Sequence, residues 1–103
     1  MDIGLFLREY GASELRADAN YRGRIIQTTG YADDLGRDAL NSIYIVLSSA
    51  GGAEPTNLHC HVGESQLQRV AKLSRGAHIT VRGRVTGLTL GSIIVCNCAL
   101  VGP

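Results

Sequence analysis

The chain has 103 residues, enough for one domain with a single modest core and too few for two. It is 45% hydrophobic and 18% charged, with 13 glycines, two prolines and no tryptophan, which excludes a disordered or low-complexity chain and fits an ordered domain with many tight turns. The formal charge of +1 hides a division: five arginines stand against nine acids through Glu64, then four arginines and one lysine follow with no acid, an asymmetry compatible with an anionic partner or with an ordinary solvated surface.

No apolar run approaches the ~18 residues of a membrane helix, and "MDIGLFLREYG" lacks the cationic start and long apolar centre of a secretory leader. As written, the chain is expected to be cytoplasmic, and exported only if a leader precedes it. Three cysteines are an odd count, which leaves at least one thiol free and points to a reducing compartment.

Ile3, Phe6, Leu7 and Tyr10 are spaced as a helical stripe, and Asp2 is placed to cap it. The helix is expected to end near Asn20, with Gly11 either ending it early or tolerated inside it. From Arg22 the character changes: "RGRIIQTTGYA" predicts a first strand and "DDLGRDALNS" a turn or loop. "IYIVLS", 43–48, predicts a second strand, "AGGAEPTN", 50–57, a flexible loop, and "LHCHV", 58–62, a third strand. In "ESQLQRVAKLSRG", Leu67, Val70, Ala71 and Leu73 share one helical face, and Gly76 is a natural terminator. "AHITVRGRVTG" alternates, with Ile79, Val81 and Val85 on one face and His78, Thr80, Arg82 and Arg84 on the other. "LTLG" turns the chain into a last strand, "SIIVCNCALV".

This order predicts a mainly β chain: a five-stranded OB-fold Greek-key barrel with an N-terminal helix and one helix between the third and fourth strands. One domain is expected over 1–103, with 1–20 as the helix and 21–101 as the barrel.

"EYGASELRADANYRGRIIQTTGYADDL", "IYIVLS", "LSRGAHITVRGRVTGL" and "IIVCNCALVG" together resemble the tRNA_anti-like family of bacterial OB-fold domains. In that family an "AD-x-x-Y-x-G-K" segment leads into the first strand. Here the matching residues are Ala17, Asp18, Tyr21, Gly23 and Arg24, the last an arginine where lysine is usual. The resemblance covers nearly the whole chain and implies the fold and kinship to anticodon-binding barrels, hence nucleic-acid binding. Several members look exported or lipid-anchored.

"LHCHV" and "CNC" at 96–98 raise the question of a metal or redox centre. By strand parity Leu58, Cys60 and Val62 share one face, expected to be the core face, and His59 and His61 the other. In the last strand Ile94, Cys96, Cys98 and Leu100 share a face, and Asn97 on the other marks theirs as interior. Zinc needs about four converging ligands, whereas parity sends the histidines outward and the cysteines inward, so no metal and no cofactor are expected. The third and fifth strands of an OB barrel are neighbours, which leaves a disulfide from Cys60 to Cys96 or Cys98 geometrically open.

No nucleophile elbow, Walker loop or dinucleotide fingerprint is present, and Asp33 and Asp34 read as turn residues, so no enzyme is expected. OB-folds bind nucleic acid on the outer face of the second and third strands. Parity turns Tyr44 outward there, beside His59 and His61, while Arg22, Arg24, Arg82 and Arg84 would supply phosphate contacts. The first reading is therefore a non-catalytic module for single-stranded DNA or RNA. The alternative is a protein-interaction module, pairing with a partner or a second copy through the N-terminal stripe or a barrel face.

Overall fold

Asp2 opens the first helix as expected: its carboxylate accepts the Gly4 N–H at 2.9 Å, and α1 runs Ile3–Ala12 in the computed structural model, which describes residues 1–50 and 56–102. One continuous helix does not follow. Ser13 adopts extended backbone (φ −160°), and its hydroxyl accepts the Arg16 N–H, starting a second helix, α2 (Glu14–Tyr21). Gly11 lies inside α1. The stripe Ile3, Phe6, Leu7 and Tyr10 is at most 6% exposed, because it packs against its own barrel. Phe6 meets the rings of Tyr10 and Tyr21 edge-on, at 5.5 and 4.9 Å.

Five strands follow: β1 (Ile25–Arg37), β2 (Ile43–Ser48), β3 (Asn57–Val62), β4 (His78–Thr89) and β5 (Ser92–Leu100). They close into a barrel in the order β1-β2-β3-β5-β4, with every pairing antiparallel except β3–β5. This is the expected OB-fold. Its interior is the alternating set that includes Ile26, Ile45, Leu47, Leu58, Val85 and Val95. Of the loop expected over 50–57, residues 51–55 lie outside the described residues.

Three local expectations are corrected. "DDLGR" is not a loop but the second half of β1, and only Asp38–Ser42 turns the chain, with the Asp38 carboxylate accepting the N–H groups of Leu40 and Ser42. β1 spans 13 residues because its first half pairs with β4 and its second with β2, and ladder pairing overrides the poor strand propensity of Asp and Gly. A bulge between Ala32 and Asp34 accommodates Asp33.

The internal helix, expected across "ESQLQRVAKLSRG", shrinks to a 3-10 turn (Glu64–Gln66) and one α turn, α3 (Leu67–Val70). Only Val70 is buried in it. The chain then leaves the helix to reach β1, where Gly76, at φ +85°, donates its N–H to the Ala32 carbonyl.

In β5 the parity changes partway. Ile93, Val95 and Cys98 are buried, while Cys96 is only half-buried. Asn97 takes a left-handed φ of 54°, and the extra residue shows in both neighbours: Cys60↔Val95 is followed by Val62↔Cys98, and Arg84↔Cys96 is preceded by Arg82↔Ala99. With Ile93 and Val95 inward, simple alternation would point Asn97 into the core, and this bulge puts Cys98 there instead and leaves Cys96 on the outer parity. Gly83 faces it, where an added Cβ would stand 2.7 Å from the Cys98 sulfur and 2.9 Å from the Cys96 carbonyl oxygen.

Candidate functional site

Alternation in β2 and β3 sets Tyr44, His59 and His61 outward, while Ile43, Ile45, Leu58 and Cys60 fill the core behind them. Tyr44 lies opposite His61 and Val46 opposite His59. The three rings form one row: Tyr44 and His59 have centroids 5.0 Å apart, and His59 and His61 stack at 4.9 Å. Tyr44 also lies over Gly36 of β1, close enough that a Cβ there would touch its ring.

Carboxylates hold the row in place. The Tyr44 hydroxyl donates to Asp34 Oδ2 at 3.2 Å, which raises the phenol's pKa. Asp34, expected in a turn, thus works from the outer face of β1, and its other oxygen accepts from Arg75 at 3.1 Å. His61 Nδ1 lies 3.9 Å from Asp38 Oδ2, and the Ser42 N–H is the main cause holding the Asp38 carboxyl below its usual range. At the end of the row Arg37 is paired with Glu64, which lowers the Glu64 pKa. Burial, and then the neighbouring His61, lower the pKa of His59, whose Nε2 is buried without a hydrogen-bond partner among the described residues.

The expected arginines do not join this row. Arg82 and Arg84 project outward from β4, opposite Gln27 and Ile25 of β1. Arg84 donates to the Gly23 carbonyl, and Arg22 and Arg24 are exposed at the entry to β1. The expected site is therefore divided, with rings on β2 and β3 and cations on β1 and β4. Sequence reasoning missed Asp34, Asp38 and Arg75 on the first face. It also missed a ring pair on the second, Tyr31 and His78, stacked at 4.7 Å and 18° across the β1–β4 ladder. The usable signal for that pair was parity, since His78 shares its face with Thr80, Arg82 and Arg84.

The cysteines are free thiols, Cys60 and Cys98 buried and Cys96 half-buried. Cys98 donates to the Val95 carbonyl and is the hydrogen-bond partner of Cys60, which with burial pushes the Cys60 thiol well up. Of the two pairings left open by sequence, Cys60 and Cys98 are in hydrogen-bond contact as thiols. Among the described residues no three His, Cys, Asp or Glu side chains gather into a metal-binding group, and no helix is long and apolar enough to cross a membrane.

The model of the tRNA_anti-like family matches residues 4–99. The chain belongs to the tRNA_anti-like family. Its signature segment serves the junction between helices and barrel. Asp18 accepts the Tyr10 hydroxyl at 2.8 Å, and burial together with this bond raises the Tyr10 pKa far above the ordinary phenol value. Tyr21 is hydrogen-bonded to Glu9, and Gly23, at φ +83°, donates to the Val85 carbonyl. Arg24 contributes its backbone carbonyl, which accepts the Val85 N–H, so this contact is indifferent to arginine in place of lysine.

Among solved structures, a candidate nucleic acid-binding lipoprotein from Klebsiella pneumoniae matches with TM-score 0.81 and 19% identity over 99% of this chain and 92% of that one. An OBody bound to hen egg-white lysozyme matches with TM-score 0.57 and 17% identity over 82% and 85%. Entamoeba histolytica asparaginyl-tRNA synthetase matches with TM-score 0.56 and 14% identity over 79% of this chain and 21% of that enzyme. At these identities the likeness shows a shared fold. No curated protein matches the chain.

Proposed function

We propose that this protein is a non-catalytic module that binds single-stranded nucleic acid on the outer face of β2 and β3. The observation that carries the reading is the Tyr44–His59–His61 row, three flat π surfaces side by side on an OB-fold barrel. Bases stack on such rings with little sequence preference, each worth about 1–3 kcal/mol. Family membership and the candidate nucleic acid-binding lipoprotein of the same fold support this reading. Docking through the N-terminal stripe loses its basis, since that stripe is spent on the chain's own core.

A fluorescence titration with labelled single-stranded DNA and RNA across a salt series tests the proposal. Binding that weakens with salt is expected, and Tyr44→Ala should reduce it roughly five- to hundredfold. Absence of binding at about 100 μM protein in low salt, where even non-specific binders register, would overturn it.

A further inference from the structure

The face formed by β1 and β4 carries a second ring stack in a different electrostatic setting. Its outward register pairs are Ile25↔Arg84, Gln27↔Arg82, Thr29↔Thr80 and Tyr31↔His78, a stripe that contains no carboxylate. The stripe is about 20 Å long at ~3.3 Å per residue from Arg84 to His78. At its lower end Tyr31 and His78 stack in parallel, and beside them the Thr29 and Thr80 hydroxyls meet at 2.7 Å.

His78 lines two shallow clefts. One, of about 440 Å³, is lined by Arg69, Lys72 and Thr80 over an apolar floor that includes Ile79 and Leu100, with no acidic residue in its lining. The other, of about 380 Å³, contains Thr29, Tyr31 and Asp2, whose carboxylate is engaged in capping α1. Arg69 is oriented over its cleft by donating to the carbonyls of Leu100 and Gly102, while Lys72 and Arg82 make no ion pair among the described residues.

The charge division of the sequence thereby gains a location. Of the five basic residues after Glu64, Arg82 and Arg84 lie on the stripe and Arg69 and Lys72 line the adjoining cleft; the fifth, Arg75, is bound to Asp34 on the other face. The Tyr44 row, by contrast, is flanked by Asp34, Asp38 and Glu64, and its two arginines are already paired. A polyanion approaching the molecule finds unpaired cations on β1–β4 and self-neutralised ones on β2–β3.

We infer that the β1–β4 face is a second nucleic-acid contact site, in which Arg82, Lys72 and Arg69 bind the phosphates of a single strand and the Tyr31–His78 stack receives a base. The inference rests on the reading of the chain as a single-strand binder and adds a surface outside the β2–β3 face.

The test is the same salt-series titration applied to the full chain with separate sets of variants. Exposed Arg82→Ala and Lys72→Ala, alone and together, should lower the slope of log affinity against log salt by roughly 0.7 per cation, the value for single strands. Tyr31→Leu should weaken binding roughly five- to hundredfold, while Tyr31→Phe retains it. Tyr44→Ala should weaken binding without altering the slope. If Tyr44→Ala acts and the Arg82, Lys72 and Tyr31 variants do not, the inference is overturned and the β2–β3 reading stands. If Tyr44→Ala is silent and the β1–β4 variants act, the inference stands and the β2–β3 reading is overturned. Failure of the wild-type chain to bind overturns both.

Discussion

Tyr44 with His59 and His61, and Tyr31 with His78, are ring stacks of similar spacing on outer strand faces of one barrel, yet they stand in opposite company. The first is tied down by Asp34 and Asp38, and the second lies beside unpaired Lys72 and Arg82. The two properties that a nucleic-acid site combines, flat rings and positive charge, are thus separable on a closed sheet. Ring-rich surface marks where a base can stack; only the balance of neighbouring charges tells whether a phosphate chain would follow it.

Both faces depend on one interior, so the change that most damages both lies there. Phe6→Ala removes a fully buried ring from the contact between helices and barrel and should cost about 3–5 kcal/mol, read as a lower urea midpoint, with binding lost at both faces once the barrel opens. Gly83→Ala acts on one side. Its Cβ would press on the Cys98 sulfur and the Cys96 carbonyl, costing about 1–3 kcal/mol and disturbing β4 and β5 before β2, which chemical shifts of the β4 amides against those of β2 would reveal.

A smaller change would narrow the contrast between the faces. Asp34→Ala removes the carboxylate that holds both Tyr44 and Arg75, and freeing that arginine should strengthen single-strand binding roughly two- to fivefold at low salt, with the gain fading at high salt. The smallest expected effect concerns pH. His59 is held below the ordinary histidine value of 6.5 in the folded state, so the unfolded chain takes up the proton more readily. Stability is then full above pH 6.5 and falls as pH drops through the lower folded value; His59→Gln should flatten that acid limb in urea titrations at successive pH values.

Strand alternation made most of the barrel legible, because Ile43, Ile45 and Leu47, or Val81 and Val85, have polar or half-exposed neighbours that fix their inward face. It failed where that contrast disappears. In β5 both faces are apolar, and the bulge at Asn97 reverses them; asparagine's tolerance of left-handed backbone was the only local hint. In β1 the residues Asp33 to Gly36 have turn character, and only pairing with β2 makes them a strand. The β2–β3 ring row was legible because its residues lie within two short alternating strands. For Tyr31 and His78, parity put His78 on the arginine face of β4, but its pairing with Tyr31 was not legible, since an antiparallel register joining residues 47 apart leaves no trace in local pattern.

The ring of strands has a further consequence. With β1 bonded to β4 through its first half and to β2 through its second, every strand has a neighbour on each side over part of its length, so no strand of the described barrel presents a whole free edge for an incoming strand to extend. Strand addition, and edge-to-edge stacking of copies, would have to use part-length edges such as the halves of β1 that face away from their ladder partner. Recognition over the fully paired stretches is then left to side chains.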